Sequence, residues 1–379
     1  VTHRERVLAA ISLRQPDRIP LDFGSVGGLM VDELYHRVRA LLGLDDSVSP
    51  YRSGSSANYY DERILAAFDI DFRHLWLASP DRPARRRLPG GQVVDEWGIT
   101  WSPEGSYPEV FPLRGASLAE IVRHPWPLPS RSWNLDALVA RARHLREDTD
   151  FAVVAKGVLD GAGIFERCCY LRGYDEFLVD MCTDEPLALA LIERVTEVEL
   201  ALWDMYLDAV GPWVDIVQRA SDLGTQSSLM ISPELYRRFL VPAEKRVFDL
   251  IRKKAPGAKV WFHSCGAVRP LVKDFLGLGV QILNPVQPLA AGMESEGLKR
   301  DFGGRLCFHG GIDLQRAMVG TVEDVRGEVR LRVSTLGRGG GYILAPANHL
   351  QKDTPPQNVV ELYRFAAEYG RYPLAGCRA

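Results

Sequence analysis

Lys259-Val260-Trp261-Phe262-His263-Ser264-Cys265-Gly266 begins as a short apolar run and turns abruptly small and polar. A run of that length bounded by turn residues reads as a buried strand, and the stretch after it, Arg269 to Leu276, returns to helical spacing. The same unit recurs on both sides. Toward the amino terminus the apolar runs are Val214 to Arg219, Phe151 to Ala155, Phe72 to Leu77 and Ile19 to Phe23. Toward the carboxyl terminus they are Val280 to Leu283, Leu306 to His309 and Gly341 to Leu344. Helices are read at Asp32 to Leu42, Leu171 to Met181, Pro186 to Val210, Thr321 to Leu336 and Asn358 to Tyr369. Ser232-Pro233 opens a further helix, or two broken at Pro242. Eight alternations predict an α/β fold, a (β/α)8 TIM barrel of parallel strands.

The interval between the second and third runs breaks the rhythm. Val93 to Trp101 alternates and is aromatic, which predicts a hairpin, and a Pro-rich loop runs from Pro103 to Pro129. Residues 81–130 are therefore read as an insertion after the second strand, near the barrel mouth, in an otherwise single domain over 1–379. With 379 residues, 46% hydrophobic and 25% charged, the chain can bury a large core. A net charge of -3 gives no broad basic footprint for nucleic acid or an anionic membrane surface, and the Arg85-Arg86-Arg87 run beside Pro83 and Pro89 reads as a solvated loop. No apolar run is long enough to span a bilayer, and Val1 to Ala10 lacks the apolar core of a signal peptide. The six cysteines, at 168, 169, 182, 265, 307 and 377, show no disulfide-framework spacing. A cytoplasmic protein with reduced thiols is expected.

In such a barrel the chemistry sits at the carboxyl ends of the strands, because side chains deeper inside are packed in layers. The polar residues placed there are Asp22, Asp160, Gln218, Ser221, Asp222, His263, Cys265, Asn284, Gln287, His309, Asp313, Asn348, His349 and Gln351. His263 and Cys265, two apart, point to the same side and are candidates for one Zn²⁺; the alternative is a buried thiol beside a hydrogen-bonded imidazole. A catalytic zinc needs a third donor, for which His349 and His309 are candidates and Cys307 a weaker one. Asp222 is either a functional carboxylate or a turn-capping one, with Gly224 permitting close approach of backbone to a ligand. Asp160, Gln218, Asn284, His309, Asn348 and Gln351 are candidates for substrate contact.

Longer motifs join these residues: Asp222-Leu223-Gly224-Thr225-Gln226 with Ile231-Ser232-Pro233-Glu234-Leu235-Tyr236, His263-Ser264-Cys265-Gly266, Gly310-Gly311-Ile312-Asp313 and Asn348-His349-Leu350-Gln351. In these the chain resembles the uroporphyrinogen decarboxylase superfamily, which also contains cobalamin-dependent methyltransferases. True uroporphyrinogen decarboxylases carry an Arg-rich loop after the first strand. Here that loop, Gly24 to Met30, has no Arg and little to hold an acidic tetrapyrrole. The methyltransferase branch is similar in its His-x-Cys-Gly segment, which implies His263 and Cys265 as zinc ligands. Where that branch places a further Cys, this chain has Asn348 with His349 beside it; either His349 substitutes, or the metal is bound differently, or it is absent. The resemblance implies zinc-assisted methyl transfer between a small methylated substrate and a thiol acceptor or a corrinoid (cobalamin) carried by a partner protein. Asp222 and His349 would be catalytic, with Asn348 and Gln351 orienting substrate. The alternative is a metal-independent decarboxylase or lyase acting on a small acid. Related barrels often form homodimers.

Overall fold

Seven of the eight apolar runs form strands, Phe72–Leu75, Ala152–Ala155, Ile216–Ala220, Lys259–His263, Ile282–Val286, Cys307–Ile312 and Tyr342–Pro346, paired in chain order in one curled parallel sheet. Nearly every residue in them is buried, which is why they read as continuous apolar runs and not as alternating ones. This is a computed structural model, and it describes residues 1–25, 27–44, 46, 48–52, 55–77, 86–103, 107–129, 135–159 and 161–374.

The first run is the exception. Ile19 to Phe23 forms no strand; Leu21 makes a single parallel bridge to Leu344. Asp22 N–H donates to Leu344 O (3.1 Å), Leu344 N–H donates to Pro20 O (2.9 Å), and on the other flank Asp71 N–H donates to Leu21 O (3.0 Å). Pro20 has no N–H to extend the ladder. The segment thus lies between the last and the first strand of the sheet with few backbone bonds.

Between the first two strands, Arg86–Arg87, Val93–Val94, Thr100–Trp101 and Pro108–Val110 form a separate antiparallel sheet. The expected hairpin is its centre, Val93 opposite Trp101. The stretch expected as a Pro-rich loop also holds a helix, Leu118–Arg123, closed by a capping box between Ser117 and Glu120. Arg172 ties this region to the barrel helices by donating to Leu113 O and Ala116 O, each at 2.8 Å.

Most expected helices are present, Glu185–Val210 the longest. The one expected from Leu171 to Met181 is two, Ile164–Arg172 and Tyr174–Thr183, because Gly173 adopts φ +96°, which breaks the helix. After Ser232 the path is Pro233–Leu235, a π turn at Tyr236–Leu240 and then Val241–Lys254. Pro242 cannot supply the usual helical N–H, and the wider turn before it absorbs that loss. No helix among the described residues is long and apolar enough to cross a membrane.

Strand side chains alternate between the inner face of the curled sheet and the helical layer. Inside, Trp261 lies against His309 (ring centroids 4.1 Å), His74 (6.2 Å) and Phe72 (6.3 Å). Outward, buried Arg219 donates to both oxygens of Glu199 (2.7 and 2.8 Å) and pairs with Glu244, joining the strand to two helices.

Candidate functional site

His263 is the last residue of its strand, in register with Ala220 on one neighbour and Asn284 on the other. Asp222 and Cys265 each lie two residues past the strand positions Ala220 and His263. The three side chains converge: His263 Nε2 is 3.4 Å from Cys265 Sγ and 3.5 Å from Asp222 Oδ1, and one donor atom from each lies within 4.8 Å of the others. Among the described residues this is the only such group of three metal-capable side chains. The His263 side chain is 3% exposed and that of Asp222 42%, so the cluster opens to solvent on the carboxylate side. A thiol, an imidazole and a carboxylate match the donor set of a zinc site with an open position. Burial, then Asp222, raises the Cys265 thiol well above its usual pKa, so a cation between the three is what would favour the thiolate.

Two loops hold this geometry by touching each other. Gly266 has φ +84°, and a Cβ there would sit 2.5 Å from Gly224 C and O and from Thr225 O. At Gly224 a Cβ would likewise meet Ala267 N and Cys265 O, each at 2.8 Å, so its lack of a side chain lets the two loop backbones approach closely. Cys265 N–H donates to Asp222 Oδ1 (2.8 Å), and Leu223 N–H to Ser264 Oγ (3.2 Å). Beneath them buried Glu166 accepts from Asp222 N–H (2.7 Å), Gly163 N–H (3.0 Å) and Ser221 O–H (3.1 Å). Burial and the neighbouring Asp222 push its carboxyl up to about 7. Gln287 Oε1 accepts from Gly266 N–H at 2.9 Å.

A buried hydrogen-bonded chain orients His263. Asp22 accepts from His74 Nε2 and His309 Nε2, each at 2.9 Å; His309 Nδ1 meets Asn284 Nδ2 at 2.7 Å; and Asn284 Oδ1 meets His263 Nδ1 at 2.5 Å. Burial opposes the charge on Asp22, but the two imidazoles outweigh it and hold the carboxyl well below the usual range. Burial lowers His74 and His309, which favours their neutral rings. One polarity satisfies every contact: His309 Nε2–H donates to Asp22, its Nδ1 accepts from the Asn284 amide, and Asn284 oxygen accepts Nδ1–H of His263. The Nε2 lone pair of His263 then faces Cys265 and Asp222, as a metal ligand requires.

The other expected residues divide by depth. Asn284, His309 and Gln218 are fully buried; the first two belong to the chain just described, and both amide atoms of Gln218 lack a partner among the described residues. Asn348, at the mouth, has its amide nitrogen 3.7 Å from Cys265 Sγ and its oxygen accepting His349 N–H at 2.6 Å. His349 lies outside the three-residue cluster: its Nδ1 accepts Leu29 N–H at 3.0 Å, which leaves the hydrogen of the neutral ring on Nε2. Burial, with Arg52 and Lys156 nearby, lowers His349 to about 3. Gln351 is exposed and donates to His349 O at 3.0 Å. Asp160 lies outside the described residues. Sequence reading passed over Glu166, Arg52 and Lys156. Lys156 follows the strand Ala152–Ala155 directly, so the strand-end rule applied to that run would have found it.

Residues 103–369 match the family model described as uroporphyrinogen decarboxylase (URO-D). The chain belongs to the URO-D family. Among solved structures it is similar to a methyltransferase from Methanosarcina mazei, with TM-score 0.64 at 18% identity over 97% of this chain and 99% of that one. At that identity the likeness concerns the fold. A much weaker likeness, TM-score 0.37 at 12% identity over 62% of this chain and 80% of the other, is to xylanase 10B from Thermotoga maritima. No curated protein sequence matches the chain significantly. Within the URO-D family, then, this member ends its strands in a thiol, an imidazole and a carboxylate around one point.

Proposed function

We propose that this URO-D family member is a methyltransferase, moving a methyl group between a small methylated substrate and a thiol or a corrinoid protein, with zinc held by His263, Cys265 and Asp222. The observation that carries the reading is the convergence of those three donors at the open end of the barrel, with the lone pair of His263 Nε2 aimed among them. The methyltransferase from Methanosarcina mazei with the same fold lends it support. Zinc in that position would supply Lewis acidity, lowering the pKa of a bound thiol or polarising a methylated heteroatom. Asp222 takes the place expected for a third ligand, so neither Asn348 nor His349 need bind metal. Asn348 instead offers its amide to Cys265 sulfur, and the neutral His349 and Gln351 line the approach as hydrogen-bonding groups for substrate. A corrinoid partner, where one serves, would present its cobalt at this same mouth.

The test is metal content by elemental mass spectrometry on protein prepared without a metal-binding tag. About one zinc per chain is expected in the wild type, lost in Cys265→Ala and weakened in Asp222→Ala. A folded wild type that takes up no zinc would defeat this reading. It would turn attention to the decarboxylation for which the URO-D family is named, with Asp222 as the residue acting on a small acid.

A further inference from the structure

Three buried side chains on the strands of the parallel sheet have polar atoms with no hydrogen-bond partner among the described residues: both amide atoms of Gln218, Nε1 of Trp261 and Nδ1 of His74. The other buried atoms in that condition lie on helices and loops, Tyr236 and Glu244 among them. All three strand residues face inward. Arg219 reaches out to the helices, so its strand neighbour Gln218 points the other way. Gln218 is in register with Trp261 on the next strand, and the Trp261 ring lies against His74 and His309. Trp261 precedes His263 by two residues, and Gln218 precedes Ala220 by two, which sets the group one layer beneath the donor cluster.

Their unmet needs are complementary. Asp22 keeps the hydrogen of the neutral His74 ring on Nε2, so Nδ1 is an acceptor without a donor. Trp261 Nε1–H is a donor without an acceptor, and the Gln218 amide can serve as either. The His74 and Trp261 rings stand at 72° with centroids 6.2 Å apart, within reach of two successive hydrogen bonds of about 2.9 Å each. Buried polar groups that the protein leaves unpaired are as a rule met by internal water, which takes about three such bonds.

We infer that an ordered water is bound one layer beneath the metal donors, accepting from Trp261 Nε1–H and donating to His74 Nδ1 and Gln218 Oε1. The ligand is water and not substrate, because Gln218, Trp261 and His74 are each 0% exposed and lie under His263. The bridge turns the hydrogen-bonded chain into a ring. Asp22 accepts from His74 and His309, His309 lies against Trp261 with centroids 4.1 Å apart, and Trp261 returns through the water to His74. Both imidazoles are thereby held from two sides. This inference is independent of the methyl-transfer reading and of whether zinc binds.

The experiment is a high-resolution crystal structure of the full chain, metal-free, joined to 1H–15N spectra of the same protein. Density for a water within about 2.7–3.2 Å of Trp261 Nε1, His74 Nδ1 and Gln218 Oε1 is expected. In solution the Trp261 indole N–H, assigned by its loss in Trp261→Phe, should show a cross-peak to water, and His74 Nδ1 should resonate upfield of an unbonded imidazole nitrogen. Gln218→Leu removes one of the three partners, and both signals are expected to move toward their unbonded positions. Lack of water density between the three groups, an indole N–H without a cross-peak to water, or signals unchanged by Gln218→Leu overturns the bridge. Should either variant fail to fold, the wild-type density and the His74 shift decide.

Discussion

Asp22 touches neither a metal donor nor solvent, yet it decides which nitrogen of His263 carries the hydrogen. Its carboxylate accepts two N–H bonds, and the polarity set there passes through His309 and Asn284 to the imidazole at the site. Asp22→Asn replaces one acceptor by a donor. With the amide nitrogen facing His309, that ring shifts its hydrogen to Nδ1, Asn284 turns its oxygen toward it, and His263 is left with its hydrogen on Nε2, where a ligand lone pair is needed; His74 keeps the amide oxygen as its acceptor. Zinc affinity is expected to fall by about 10- to 100-fold in this variant, the usual cost of losing an outer-shell partner. Competition with a chelator measures the affinity, and long-range 1H–15N spectra of the metal-free protein report the tautomer directly. Unchanged affinity together with an unchanged tautomer would sink the account. Strand-end position pointed to Asp22, Asn284, His309 and His263 individually. What the sequence could not supply is that they touch in series, because three neighbouring strands must meet a segment 287 residues away, Asp22 against His309.

At the scale of elements, the strands that were legible are those buried on both faces, where composition alone marks them. The short segments were not legible: the six-residue helices Glu62–Ala67 and Leu118–Arg123 hold too few turns for a helical period to emerge. Likewise the break at Gly173 depends on a backbone conformation, and an apolar spacing that continues across it conceals the break. The site itself depends on two such backbone details, the paired glycines 224 and 266. Gly266→Ala adds a Cβ against the backbone of Gly224 at a residue with φ +84°, so both sterics and dihedral oppose it. The expected result is a loss of about 2–4 kcal/mol by urea denaturation, and weaker zinc binding, because Cys265 and Asp222 ride on the two loops that must separate. Full stability in the variant would mean that these loops are not packed as described.

For the whole molecule the weak point is the seam where the first apolar run meets the sheet with few backbone bonds. Asp71, wholly buried, holds it: the carboxylate accepts from Arg6 Nη1 (2.6 Å), Arg18 Nη1 (2.8 Å), His3 Nδ1 (2.8 Å) and Leu21 N–H (2.7 Å). One side chain thus ties the helix His3–Ile11 and the Leu21 segment to the first strand of the sheet. Burial opposes its ionisation, but His3, Arg18, the Leu21 N–H and Arg6 outweigh this and hold the carboxyl below its usual range. A carboxylate depressed in the folded state contributes stability that is complete above its unfolded pKa, about 3.9, and is lost as pH falls through the folded value. Stability at the seam is therefore expected to be constant near neutrality and to decline in acid below about pH 4. Asp71→Asn removes the buried counter-charge that Arg6 and Arg18 share, while Arg6 keeps Asp17 and Arg18 keeps Asp69, and a cost of about 1.5–3 kcal/mol is expected. Because Asp22 follows Leu21 directly, the same variant should also speed amide exchange at Asp22 and weaken the chain that orients His263. Denaturation between pH 3 and 8 with exchange measured at pH 7 checks both: a variant as stable as the wild type at pH 7, with Asp22 still protected, would mean that Asp71 does not hold this seam of the sheet.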